Sequence, residues 1–288
     1  MQVVQWYPGH MTKAKRAMKE DIKLIDLVIE ILDARAPLSS RNPDIDELGR
    51  GKARLVLLNK ADLADETANR VWEQSFLEQG LSTVRVDARN RGDMKPIQTA
   101  IRHACREKIE RDLKRGIKNR PVRAMVVGIP NVGKSTFINS YAGRACAKTG
   151  NRPGVTRGNQ WIRLSKEVEL LDTPGILWPK FEDEQVGIRL AFLGSVKDEI
   201  LGMEALSLEL LAFLSRQYPE ALMERYQFSE TDVETEPEKM LRKIADRRNC
   251  LLKGNELDTE KAARLIIDDF RSGKLGRITL ELPAEEQR

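Results

Sequence analysis

Along the first 175 positions, dense apolar runs alternate with stretches of helical spacing. LIDLVIEILDAR (24–35) is so rich in Leu, Ile and Val that it predicts a strand buried on both faces. ARLVLLNKADL (53–63), STVRVDARN (82–90) and RAMVVGIP (123–130) read as three further strands, and the first of these ends in a polar loop. Helical spacing marks 65–80 and 95–115, and MTKAKRAMKEDIK (11–23) predicts a basic, amphipathic first helix. KSTFINSYAG (134–143) predicts a helix stopped by Gly143, and QWIRL (160–164) and VELLDTPG (168–175) follow as paired strands. Strands alternating with helices imply an α/β fold, a doubly wound and mostly parallel sheet with binding loops at the strands' carboxyl ends. From about residue 186 the strand pattern stops. Segments 203–217, 237–249 and 258–272 fit helices, the last capped by Asp258 or Thr259 and stopped by Gly273. The expected organisation is therefore an α/β domain over 1–185 and a small all-helical domain over 186–288.

Composition narrows the class without naming a chemistry. The chain has 288 residues, 41% hydrophobic and 32% charged, enough for two domains with a buried core and a heavily charged surface. No apolar run reaches the roughly 18–20 residues that cross a bilayer, and the N-terminal stretch has no apolar signal core. The three cysteines, Cys105, Cys146 and Cys250, lie far apart and form no CxxC pair, which argues against a disulfide framework or zinc site. A cytoplasmic location, with neither membrane nor DNA as partner, is the expectation. The net charge of +5 is uneven: residues 190–288 carry 15 Lys/Arg against 20 Asp/Glu, and residues 1–189 carry 34 against 24. Such asymmetry hints at a polyanionic partner.

Chemistry enters with GIPNVGKST (128–136). Gly128, Gly133, Lys134 and Ser135 fit GxxxxGK[ST], after a strand and before a helix, the context the motif requires. Backbone amides of Asn131, Val132, Gly133 and the first helical turn, with Thr136 beside them, would cradle phosphates. Lys134 would reach the β- and γ-phosphates, and Ser135 would offer a hydroxyl to Mg²⁺. NKAD (59–62) ends another strand. Asp62 could accept hydrogen bonds from guanine N1–H and N2, whereas adenine would leave the carboxylate unpaired. Asn59 and Lys60, with Ala61 between Lys60 and Asp62, would brace the phosphate loop and the purine face. Asp87-Ala88 stands where GTP-binding proteins usually have Ser-Ala, and the Ala88 amide is the expected partner of guanine O6. In RPGVTRG (152–158), Thr156 is the natural ligand to complete Mg²⁺ coordination; Asp172 of DTPG would contact that metal through water, and the Gly175 amide would meet the γ-phosphate.

These motifs occur in the order fourth, fifth, first, second, third relative to an ordinary GTP-binding domain. One rearrangement explains it: a circularly permuted P-loop GTPase domain, which keeps every loop in place because domain termini lie at the surface. With WYPGHM, DARAPLSSRNP, NKAD, GIPNVGKS, DTPG and DFRSGKLGRITLE, the whole chain resembles the ribosome biogenesis GTPase A family. The resemblance implies a bacterial GTPase that hydrolyses GTP while assisting maturation of the large (50S) ribosomal subunit. It further implies binding to the large-subunit precursor and its rRNA through a helical C-terminal RNA-binding domain. The competing reading is a nucleotide-gated RNA-binding module whose hydrolysis is incidental.

Ile176 follows DTPG, where small GTPases place a water-orienting glutamine, so another group must serve. The permutation brings residues 1–22 to the second switch, and His10, on a Pro8-Gly9 turn, becomes the candidate; the resemblance also points to it as catalytic. Similarity to GTPases with PNxGKS-type loops implies K⁺ held by Asn131 beside the phosphates. For RNA, two basic stretches stand out: 102–123, with nine Lys/Arg against three acidic residues, and the Lys239, Lys243, Arg247 row on 237–249.

Overall fold

The computed structural model describes residues 16–90, 92, 94–118, 120–147, 160–173, 175, 177, 183–196 and 202–283. Among the described residues six strands form one sheet: β1 (Leu27–Asp33), β2 (Ala53–Asn59), β3 (Ser82–Val86), β4 (Val122–Val127), β5 (Gln160–Arg163) and β6 (Val168–Asp172). Their spatial order is β3-β2-β1-β4-β6-β5, parallel throughout except that β5 runs antiparallel along the edge. Every residue of β1 is buried, as its unbroken apolar run predicts for a strand covered on both faces.

This order explains how the chain tolerates permutation. Strands β1 to β3 fill one half of the sheet and β4 to β6 the other, and the halves meet only at the β1–β4 ladder. Moving the chain break from one connection to another changes no strand's neighbours, so every loop at the carboxyl edge keeps its place.

The helices of this unit cover the sheet. In order they are α1 (Asp44–Leu48), α2 (Glu66–Glu78), α3 (Met94–Ala104), α4 (Arg106–Lys114) and α5 (Lys134–Ala142). Helix α2 starts at Asp65, whose side chain accepts from the Ala68 amide, and buries Ala68, Trp72 and Phe76 at four-residue spacing. Trp72 and Phe76 lie against Leu32, Val56 and Leu58. The single helix expected over 95–115 is two, separated at Cys105, although the Cys105 amide still reaches the Ile101 carbonyl. The basic first helix is described only from residue 16, where residues 16–21 are helical.

The chain divides into one unit of residues 1–183 with 279–288, and a second of Glu184–Ile278. The expected boundary at 186–288 is therefore corrected at its far end, because the last segment returns to the sheet unit. The Leu280 amide donates to the Arg35 carbonyl, and the indole N–H of Trp72 donates to the Glu281 carbonyl. These partners are more than 200 residues away in sequence, so no local pattern announces them.

The second unit contains α6 (Glu184–Phe192), α7 (Met203–Gln217), α8 (Pro219–Tyr226), α9 (Glu230–Val233), α10 (Pro237–Arg247) and α11 (Thr259–Arg271). Asp258 caps α11 by accepting from the Lys261 amide, resolving the choice between Asp258 and Thr259. Buried Asp269 receives Arg225 through two bonds of 2.8 and 3.0 Å and the Tyr226 hydroxyl at 3.2 Å. The basic row on α10 is largely engaged within the unit. Lys243 binds Asp232, Arg247 donates to the Tyr226 carbonyl at 2.7 Å, and Lys239 pairs with Glu236.

Candidate functional site

Parallel strands deliver their carboxyl ends to one edge, so β1, β2, β3, β4 and β6 bring five loops together there. The loop after β4 carries Gly128 to Lys134. Gly133 has φ +100°, and a Cβ there would stand 2.2 Å from Asn59 Nδ2. No side chain fits, and the conformation itself favours glycine. Asn59 is buried and joins two loops: its Nδ2 donates to the Val132 carbonyl at 2.7 Å, and its Oδ1 accepts from the Ala88 amide at 2.9 Å. The strand-end asparagine thus locks the phosphate-loop motif to the loop after β3. The Ala88 amide expected to read a base oxygen is already engaged by Asn59, and its observed part is to hold that bracing residue.

Lys60 adopts left-handed backbone geometry (φ 60°) and crosses to the same loop. Its Nζ donates to the Asn131 carbonyl at 2.8 Å and to Asp33 Oδ2 at 2.7 Å. Asp33, at the end of β1, is fully buried and also takes the Arg35 guanidinium through both oxygens at 2.9 Å. Burial alone would raise its pKa, but Arg35 and Lys60 together hold the carboxyl far below the usual range. The expected brace between NKAD and the phosphate loop is present, and its buried counter-ion is a residue that motif spacing did not single out. Asp33 opens the DARAP stretch, yet nothing in the sequence shows where its carboxylate leads.

The remaining Asp62 stands at the base-reading end. Its Oδ2 accepts from Arg89 Nη2 at 2.6 Å, while its Oδ1 is buried with no partner among the described residues. Arg89 is exposed and also reaches both oxygens of Asp87. Burial raises the Asp87 pKa, but the Arg89 guanidinium and amide outweigh it and leave it lowered. Arg89 was not anticipated; its only sequence signal is its place two residues after Asp87.

On the other side of β4 the environment differs. Lys134 starts α5, is buried, and donates to the carbonyls of Gly128 at 3.0 Å and Ile129 at 3.3 Å. Burial lowers its pKa to about 8, with Asp172 acting in the opposite sense. Asp172 ends β6; burial pushes its pKa up to about 6, against the attraction of Lys134, and its Oδ1 has no hydrogen-bond partner among the described residues. Thr173 fixes this loop by donating to the Val126 carbonyl at 2.7 Å. A Cβ on Gly175 would lie 2.9 Å from both Lys134 Nζ and the Pro130 nitrogen, so glycine alone permits this approach. The orphaned oxygen of Asp172 beside the hydroxyl-bearing first turn of α5 fits a hydrated divalent cation. Ser135 and Thr136 fall in that turn. His10 and Thr156 lie outside the described residues.

The chain is similar to known proteins over nearly its whole length. Residues 123–243 match the family described as 50S ribosome-binding GTPase. Over 283 residues the chain is 48% identical to a ribosome biogenesis GTPase A of Bacillus cereus, spanning 98% of this chain and 95% of that one. The GDP-bound structure of TM YlqF is 27% identical, with a TM-score of 0.69 over 93% of this chain and 99% of its own. GNP-bound YlqF from T. maritima is 28% identical, with a TM-score of 0.65 over 94% and 99%. A GxxxxGK[ST] loop braced by NKAD, on a sheet whose two halves are joined in exchanged order, and likeness over nearly the full length lead to one assignment: the chain is a circularly permuted GTPase and belongs to the ribosome biogenesis GTPase A family.

Proposed function

We propose that this GTPase assists a late step of large (50S) ribosomal subunit assembly in the cytoplasm. It binds the precursor and its rRNA with GTP in place and leaves on hydrolysis. The observation that carries this reading is the likeness over 98% of the chain to a relative named for ribosome biogenesis. Asp62 reads guanine through the oxygen that has no partner among the described residues, displacing Arg89 from the other. Asn59, Lys60 and Ala61, with Asp87 and Ala88, hold the purine end. The amides from Asn131 to Thr136 hold the phosphates, and Lys134 exchanges its loop carbonyls for phosphate oxygens.

Ser135 and Thr156 would hold Mg²⁺ directly and Asp172 through water, the ion neutralising charge on the phosphate oxygens. Asn131 would hold K⁺. The Gly175 amide meets the γ-phosphate, and His10 positions the attacking water. For RNA, the stretch 102–123 is favoured over the α10 row, since Arg111, Lys114, Arg115 and Lys118 stand exposed there, whereas Lys243 and Arg247 are tied to Asp232 and to α8.

The test is GTP turnover by the intact protein in K⁺ and in Na⁺, with and without purified large-subunit precursor, alongside co-sedimentation. Turnover should rise with the precursor and be faster in K⁺, and the GTP-loaded protein should sediment with the particle. Absence of both stimulation and co-sedimentation would refute the assembly role; equal rates in the two salts would remove the K⁺ site.

A further inference from the structure

Residues 279–282 follow the helical unit yet belong to the sheet unit, and their contacts fall on both flanks of the NKAD loop. On one flank, the Leu280 amide donates to the Arg35 carbonyl at 2.7 Å. Glu281, itself buried, accepts from the Ser39 amide and the Ser39 hydroxyl, each at 2.6 Å. On the other flank, the Asp65 amide, at the cap of α2, donates to the Thr279 hydroxyl at 3.0 Å, and the indole of Trp72 donates to the Glu281 carbonyl at 3.0 Å. A carboxylate that accepts two hydrogen bonds while buried forms a strong anchor, since charge-assisted bonds are about twice as strong as neutral ones.

The anchored loop follows directly on the end of β1, where Asp33 is the counter-ion of Lys60. Arg35 binds Asp33, Asp33 binds Lys60 Nζ, and Lys60 Nζ binds the Asn131 carbonyl in the phosphate loop. We propose that the segment from Thr279 to Leu282 is a positioning element for the nucleotide site: docked across the Arg35 to Ser39 loop and the start of α2, it holds Asp33 and Arg35 where they fix Lys60 against the phosphate loop. Glu281 is the principal positioning residue. It touches no ligand and acts through Ser39, Arg35 and Asp33. This inference rests on the assignment of Lys60 and Asn131 to the nucleotide site.

Linkage supplies a test that a merely structural tail would not pass. If docking of the tail raises nucleotide affinity, nucleotide must favour docking by the same factor. In the full-length protein, Glu281→Ala should weaken GDP about tenfold, the scale of coupling along such networks. The loss should fall mainly on nucleotide affinity, with turnover at saturating GTP reduced less, because Glu281 touches neither the ligand nor the reacting atoms. Hydrogen exchange of the Leu280 amide in the unmodified protein should slow on adding GDP by a similar factor. Thr279→Val, which is near-isosteric and replaces only the hydroxyl that accepts from the Asp65 amide, should give a smaller loss in the same direction and serves if Glu281→Ala does not fold.

Lys60→Ala, measured alongside, tests the underlying assignment separately. Unchanged GDP affinity in Lys60→Ala removes Lys60 from the site. A loss in Lys60→Ala combined with Leu280 exchange indifferent to GDP overturns the positioning role alone.

Discussion

Asp33 and Asp172 end two strands that flank the same neighbour, β4, and both carboxylates are buried, yet their surroundings are opposite. Asp33 has a guanidinium and an ammonium within 2.9 Å and is held strongly ionised. Asp172 keeps one oxygen without a partner among the described residues, and burial raises its pKa to about 6. The first arrangement is complete before any ligand arrives and serves as a brace. The second leaves a buried acceptor unpaired, which costs stability and is relieved when a cation or donor enters. One side of the phosphate loop is therefore built for rigidity, and the other is left ready for its ligand.

The largest expected effect comes from breaking the brace. Asp33→Ala leaves Arg35 buried without its counter-ion and should destabilise the protein by about 3–5 kcal/mol in urea unfolding. A loss below about 1 kcal/mol would mean that Arg35 and Lys60 find water or other partners, and the two aspartates would no longer contrast.

Asp172→Asn should act in the opposite direction on stability while damaging hydrolysis. Turnover should fall about 10–100-fold, as for a ligand that contacts a metal through water. Without nucleotide the variant should be more stable than the unmodified protein at neutral pH. The sign follows from the raised pKa. Between pH about 4 and 6 the folded protein binds more protons at Asp172 than the unfolded chain, so stability falls as pH rises through that window. The advantage of Asp172→Asn should therefore grow across it, reaching on the order of 3 kcal/mol. Asp33, with its lowered pKa, contributes fully above its ordinary value near pH 4 and loses its contribution only as pH falls below it. Parallel stability profiles of the unmodified protein and Asp172→Asn from pH 4 to 7 would show that Asp172 is ionised throughout, which would undo the comparison.

Gly133→Ala probes the crowded side at closer range. A methyl 2.2 Å from Asn59 Nδ2, at φ +100°, should cost about 1–3 kcal/mol and weaken GTP and GDP together. Equal affinity for both nucleotides before and after the change would mean that Asn59 can yield without disturbing the loop.

The smallest effect belongs to Arg89→Ala. Its pairs with Asp62 and Asp87 are exposed, so the melting temperature should move little, corresponding to less than about 1 kcal/mol. Guanine-nucleotide association should not slow, because the competitor for Asp62 Oδ2 is gone. Slower association in stopped flow would instead make Arg89 part of the base-binding surface.

Much of this was legible in the sequence, and the reason is local. The apolar runs of β1, β2 and β4 specify buried strands; Asp258 and Gly143 mark helix ends; GIPNVGKST and NKAD bring their chemistry within a few consecutive residues. Even the permutation could be read from motif order, since a parallel sheet needs each loop at a strand's end regardless of where the chain begins. Tertiary structure decided the partners of individual polar groups. That Lys60 reaches both Asp33 and Asn131, that Asn59 takes the Ala88 amide, and that Lys243 and Arg247 bond within their own unit depended on which strand ends and helices converge. The return of Glu281 to Ser39 spans 242 residues. A hydrogen bond is settled by distances of a few tenths of an ångström between groups far apart in the chain, while periodicity and motif spacing record only neighbours along it.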